Sequence, residues 1–230
     1  MIGRDVHQTG VQRAFELGHD EARGFADFII SPTNRAAFDY LLAWPRWPYP
    51  ASVLYGPEGS GKSHLARIWA ARCGAKIASA SDTSFEQFVN SQKLHLVIED
   101  IDHDGCNEEG VFHMFNLCID TGGALLVTSS RLPVAMLFRL ADLSSRVRGA
   151  TLAQIDQPDD GLIEAVIVKL FADRQLEITP VVAAYAAARI ERSLSTVRDL
   201  VTHADRMSLE TSRSITKPLV NEVLNTMEDK

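Results

Sequence analysis

The residues with the clearest chemical content are Gly56-Pro57-Glu58-Gly59-Ser60-Gly61-Lys62-Ser63. The pattern is Gly-x-x-x-x-Gly-Lys-Ser, in which glycines let successive backbone N–H groups curl around phosphate oxygens. Gly56, Gly59, Ser60 and Gly61 would form that cradle, with His64 directly behind it. Lys62 can reach the β- and γ-phosphates of a nucleoside triphosphate, and Ser63 can ligate Mg²⁺. A helix starting here adds a favourable field for anions. The expected ligand is a purine nucleoside tri- or diphosphate, ATP or ADP, with Mg²⁺.

A second group lies downstream in Leu94-His95-Leu96-Val97-Ile98-Glu99-Asp100, an apolar run ending in adjacent carboxylates. In a Walker B strand one such carboxylate holds the metal and the other orients or deprotonates the attacking water. Strand-end acids also serve as ordinary turn and cap residues, and the P-loop upstream is what favours the chemical reading. Many hydrolases of this type end in Asp-Glu, whereas this run ends in Glu-Asp. Glu99 is favoured for the metal and Asp100 for the water. A third apolar run ends in Thr128-Ser129-Ser130-Arg131, where a polar residue can sense the γ-phosphate. Arg146, in Leu143-Ser144-Ser145-Arg146, and Arg198, in Ser195-Thr196-Val197-Arg198, are two further cations of interest; either alone reads as a solvated surface residue.

These residues need a scaffold, and the hydrophobic pattern supplies one. Short apolar runs at Ser52–Tyr55, Lys76–Ala78, Leu94–Ile98, Ala124–Thr128 and Thr151–Ile155 read as strands. Helical spacing marks 34–42, 62–72, 84–90 and 108–121 between them, the last ended by Gly122-Gly123. Alternation of helices with fully apolar strands predicts an α/β fold, a parallel sheet flanked by helices. Trp44-Pro45-Arg46-Trp47-Pro48-Tyr49-Pro50 cannot be helical, and its tryptophans are expected to cover the core edge. Beyond Asp156-Gln157-Pro158-Asp159-Asp160 only helical patterns remain, at 162–173, 180–192, 194–209 and 217–227. The expected organisation is an N-terminal arm (1–24), an α/β nucleotide-binding domain (25–156) and a small all-helical lid domain (157–230).

Composition narrows the function class. With 230 residues and 46% hydrophobic side chains, the chain can bury a full core. Its formal net charge of −7 and the lack of a dense Lys/Arg run argue against a protein devoted to gripping nucleic-acid backbones. Cys73, Cys106 and Cys118 are odd in number and far apart, which fits reduced thiols rather than a disulfide or zinc framework. No secretory h-region and no apolar run of spanning length is present, so a soluble, cytoplasmic protein is expected.

Taken together, the P-loop, the Walker B run, the polar end of the third strand, the Ser-Arg before the last strand and an arginine in a helical lid resemble an AAA+ module. More narrowly, the chain is similar to the AAA+ domain of the bacterial replication initiator DnaA. The stretch Phe25-Ala26-Asp27-Phe28-Ile29-Ile30-Ser31-Pro32 is similar to that family's adenine-proximal segment. Asp159-Asp160, Lys169 to Gln175 and Arg189-Ile190-Glu191-Arg192-Ser193 look like the DnaA-related regulators of the Hda and HdaA type. The resemblance implies that Phe28, Ile29 and Ile30 line the adenine, Ser130 stands at sensor 1, and Arg198 is sensor 2. It implies that Arg146 is an arginine finger acting in trans on a partner's ATP. It also implies a sliding-clamp peptide, here Gln12-Arg13-Ala14-Phe15-Glu16-Leu17, with Gln12, Phe15 and Leu17 as anchors; Arg13 departs from the apolar residue usual at the second position.

The implied function is a regulator of DNA replication initiation that binds ADP or ATP with Mg²⁺, docks on the sliding clamp and stimulates ATP hydrolysis by DnaA. A self-sufficient AAA+ ATPase or clamp-loader-like protein is the main alternative, and a short DnaA paralogue that binds DNA is another. Direct DNA binding is disfavoured by the acidic charge and by the absence of a helix-turn-helix pattern after the lid. A homo-oligomer is compatible with the sequence.

Overall fold

The computed structural model describes residues 27–82 and 93–228. The expected arm, including Gln12, Phe15 and Leu17, and the short helix expected at 84–90 lie outside the described residues.

Five strands form one sheet: β1 (Ala51–Tyr55), β2 (Lys76–Ser79), β3 (His95–Glu99), β4 (Ala124–Ser129) and β5 (Thr151–Gln154). Their spatial order is β2-β3-β4-β1-β5, and every neighbouring pair is parallel. Parallel strands need crossovers, and helices supply them. The helices are α1 (Arg35–Leu42), α2 (Lys62–Cys73), α3 (Glu108–Asp120), α4 (Ala141–Gly149), α5 (Asp160–Asp173), α6 (Pro180–Ala187), α7 (Leu194–Thr211) and α8 (Lys217–Glu228).

Side-chain alternation along the strands separates two cores. Val53, Leu96, Ile98, Leu125 and Val127 face one way and pack with α3 and α4. Leu54, Val97 and Leu126 face the other and pack with α1 and α2. Both faces of the central strands β1, β3 and β4 are therefore dry and mostly apolar, whereas the edge strands β2 and β5 are largely exposed. A third core belongs to the C-terminal helices, where Ile163, Ile167, Phe171, Val197, Leu200 and Val223 are all fully buried. Ile29, ahead of α1, packs on that third core, while its neighbour Phe28 packs on the α1–α2 side.

Two elements depart from the sequence expectation. Helix α4 was not expected, because its stretch is polar apart from Leu143 and Val147. Those two lie one helical turn apart and are both fully buried, and the Glu108 carboxylate accepts the N–H groups of Arg139 and Leu140 (3.1 and 2.7 Å) just ahead of the helix. Helix α6 stops at Ala187 rather than continuing to Arg192. The following residues are drawn towards the P-loop, where the Leu194 N–H donates to the Gly59 carbonyl at 2.7 Å. The three tryptophans gather at the opposite edge of the sheet. Trp47 stacks on Trp69, and Trp44 meets Trp69 and His95 edge-on. No described helix is long and apolar enough to cross a membrane.

Candidate functional site

Because β3, β4 and β1 are adjacent, the residues that follow their carboxyl ends share one edge of the sheet. In open α/β sheets ligands bind at that edge. Here it opens into a cleft of about 610 Å³, within the ordinary size of a small-molecule site. The cleft is lined by Gly59, Gly61, Lys62, Ser63 and His64 from the P-loop, by Asp100, by Ser130, and by Arg198 from the lid.

The P-loop has the backbone that its glycines permit. Gly59 and Gly61 have φ of +67° and +102°, where an L side chain is strained. Gly59 is also enclosed by the lid: a Cβ there would lie 1.9 Å from Ser193 Oγ and 2.8 Å from Ser195 Oγ. The Lys62 ammonium donates to the Gly56 and Pro57 carbonyls at 2.8 Å each and is 8% exposed. Burial pushes its pKa down, against the opposing pull of Asp100, Asp102 and Glu58. It is thus a desolvated cation fixed by the loop itself, ready to interact strongly with a phosphate.

The acids after β3 are held in different ways. Asp100 has φ of +57°, a conformation that Asp tolerates better than most residues, and its N–H donates to Thr128 Oγ1 at 2.9 Å. The turn leaves the Asp100 side chain exposed in the cleft. Glu99 points the other way and is half-buried. One oxygen lies 3.5 Å from Arg67 Nη2, and the other is buried with no hydrogen-bond partner among the described residues. Ser129 is buried and donates to the Arg131 carbonyl, whereas Ser130 faces the cleft.

The site contains residues that sequence reasoning missed. The Asp102 carboxylate accepts the Ser130 N–H (3.0 Å), the Ser130 hydroxyl (2.5 Å) and the Arg131 N–H (3.1 Å). Burial pushes the Asp102 carboxyl up, but these hydrogen bonds outweigh it and hold it below its ordinary value. The signal was a third acid two residues beyond Asp100. Arg67 was missed as well, although its place four residues after Ser63 puts both on one face of α2. Ser193 and Ser195, joined by a 2.5 Å hydrogen bond, lay in segments noted for their resemblance and for Arg198, but neither serine was expected at the P-loop.

Other candidates fall around the cleft or away from it. Phe28 stacks on Phe38 and meets His64 edge-on, so the proposed adenine-side segment touches the P-loop helix through His64. Ile30 is 37% exposed. Gly56 abuts Ile155, and Ser60 is buried with its hydroxyl unpaired among the described residues. Arg146 is exposed on α4 and is not among the residues lining the cleft.

The donor set suits a nucleotide with Mg²⁺ better than a metal held by protein alone. No group of three or more His, Cys, Asp or Glu able to hold a metal occurs among the described residues. Mg²⁺ commonly takes only one or two protein ligands and completes its shell with water and phosphate oxygens. Ser63 lines the cleft and is of that kind, whereas Glu99, the carboxylate favoured for the metal, is not among the residues lining it.

Comparison with known proteins agrees with this architecture. Residues 164–224 match the family described as "Hda, lid domain". The chain is 27% identical to the chromosomal replication initiator protein DnaA of Thermomicrobium roseum over 96% of its own length and 53% of that protein's. It thus spans about half the length of the DnaA relatives it matches. Domain III of Thermotoga maritima DnaA superposes with a TM-score of 0.74 at 19% identity, over 90% of this chain and 97% of that one. DnaA bound to AMPPCP and single-stranded DNA superposes with a TM-score of 0.61 at 19% identity, over 77% of this chain and 62% of that one. Residues 164–224 thus resemble an Hda lid domain, the chain is similar in sequence to DnaA, and its fold is that of DnaA domain III.

Proposed function

We propose that the chain is a nucleotide-held regulator of replication initiation that acts on the ATP bound to DnaA. The observation that carries this reading is a division of labour among the cations. Lys62 and Arg198 line one cleft, while Arg146 stands exposed on α4 outside it. A cation in the cleft serves the chain's own ligand. A cation outside it is free to serve a site on another molecule.

In this reading ADP or ATP lies in the cleft with its phosphates against the P-loop N–H groups and Lys62. Phe28, Ile29 and Ile30 flank the adenine, Ser130 senses the terminal phosphate, and Arg198 closes on it from the lid. Ser63, with Glu99 as the carboxylate expected beside it, would hold Mg²⁺, which would supply charge neutralisation at the phosphates. The DnaA neighbour bound to AMPPCP supports a nucleotide in this fold. Gln12, Phe15 and Leu17 would dock on the sliding clamp, bringing Arg146 to a DnaA molecule on the same DNA.

Mixing the chain with ATP-loaded DnaA and clamp on DNA, and following phosphate release, tests the proposal. Wild type should accelerate release and Arg146→Ala should not, with removal of residues 1–20 weakening the effect. Equal stimulation by Arg146→Ala would end the finger assignment. A second reading, intrinsic hydrolysis by the chain itself, draws on the exposed Asp100 carboxylate in the cleft. Rapid turnover by the isolated chain, abolished in Asp100→Asn, would favour it.

A further inference from the structure

Three successive residues ahead of α1 attach to different bodies. The Asp27 carboxylate pairs with Lys169 Nζ on α5 of the lid at 2.8 Å. Phe28 stacks on Phe38 of α1 and meets His64 of α2 edge-on. Ile29 packs on the lid core. The backbone that carries them is fixed as well. Buried Asn34 donates from Nδ2 to the Ile29 carbonyl at 3.0 Å and accepts the Ser31 N–H on Oδ1 at 2.9 Å. The Thr33 carbonyl accepts the N–H of Asp156, on the connection from β5 to α5, at 2.8 Å. Residues 27–34 therefore clasp the lid to the α/β domain beside the connection between them.

We infer that Lys169 is a positioning residue for the cleft: by holding Asp27 it keeps the lid docked and Arg198 beside the P-loop. The inference rests on the nucleotide reading above. Lys169 is not among the residues lining the cleft, so it acts only through the lid. Helices α5 and α7 share one core, to which α5 gives Ile163, Ile167 and Phe171 and α7 gives Val197 and Leu200. Whatever fixes α5 thus also fixes α7, which presents Ser195 and Arg198 to the cleft. Lys169 has a second partner, Asp173, one turn along α5 at 2.7 Å. That contact stays within one helix and holds the lid to nothing. Asp27 is the partner that crosses between the two bodies, and both side chains of the crossing pair are largely sheltered, at 24% and 21% exposed.

The test is equilibrium binding of N-methylanthraniloyl-ADP to the full chain at one fixed Mg²⁺ concentration. Lys169→Met and Asp27→Asn should each raise the Kd about three- to fivefold, the size expected of one partly exposed ion pair. The double variant should be no weaker than either single one, because both changes remove the same contact. Lys169→Arg should stay near wild type, since it keeps the charge and the reach. Asp173→Asn should also stay near wild type, which separates the clasp from the stability of α5. In an Arg198→Ala background Lys169→Met should no longer alter the Kd, since the effect passes through that arginine. A wild-type Kd in Lys169→Met, an equal rise in Asp173→Asn, or an undiminished effect of Lys169→Met without Arg198 overturns the inference while leaving nucleotide binding intact. Failure of wild type to bind the probe overturns the nucleotide reading itself.

Discussion

Replacing Gly59 with alanine should detach the lid from the P-loop. The new methyl would sit 1.9 Å from Ser193 Oγ, 2.9 Å from Ser193 Cβ and 2.8 Å from Ser195 Oγ; the two hydroxyls can rotate aside only by giving up their mutual hydrogen bond, and the Ser193 Cβ moves only with its backbone. The backbone at φ of +67° adds about 1–2 kcal/mol of left-handed strain for any L side chain. If the lid moves away to escape the clash, the hydrogen bond from Leu194 N–H to Gly59 O is lost, at about 1 kcal/mol. The expected total is roughly 2–3 kcal/mol. Lid displacement also carries Ser195 and Arg198 away from the cleft, so nucleotide affinity should fall by at least about tenfold. Urea unfolding and fluorescent-nucleotide titration measure the two effects separately. Adding Ser193→Gly removes two of the three colliding atoms and leaves the φ strain. The double variant should therefore regain affinity while remaining less stable than wild type. If Gly59→Ala binds nucleotide like wild type, or Ser193→Gly restores nothing, the lid does not rest on the P-loop in the way described.

Two further outcomes follow from the electrostatics of the fold. Asp102→Asn should destabilise the chain by about 1–3 kcal/mol in urea unfolding, because an amide cannot accept all the donors from Ser130 and Arg131 that the carboxylate accepts. Burial, reinforced by Lys93, holds the His95 imidazole below its ordinary pKa, and its Nδ1 is buried without a hydrogen-bond partner among the described residues. The unfolded chain therefore takes up that proton first as pH falls, so stability should decline below about pH 6.5. His95→Phe should show a shallower decline, followed through the tryptophan emission of the neighbouring Trp44; an identical pH dependence would remove His95 as the cause.

The parallel sheet was legible because its strands are short, apolar on both faces at the centre and separated by helical spacing. The P-loop was legible because chain order alone sets its geometry. Helix α4 was not, because two buried side chains, Leu143 and Val147, carry its whole amphipathic signal. The lid contact was also hidden. Nothing in Ser193-Leu194-Ser195 points to Gly59 until folding brings them together across more than a hundred residues. Asp102 and Arg67 lie between these cases. Their spacing from Asp100 and Ser63 was visible, but their partners, Ser130 and Glu99, come from other elements. The residues most readily found were those whose chemistry is local, and those missed act across the sheet edge or between sheet and lid.

The proposed division between a cleft that holds a nucleotide and an arginine that acts elsewhere is tested most directly by one set of binding curves. Fluorescent ADP would be titrated into wild type, Lys62→Ala, Arg198→Ala and Arg146→Ala under identical Mg²⁺. Lys62→Ala and Arg198→Ala should weaken binding strongly, and Arg146→Ala should leave it at the wild-type value. Loss of affinity in Arg146→Ala comparable to that in Lys62→Ala, or unimpaired binding by Lys62→Ala, would contradict the account.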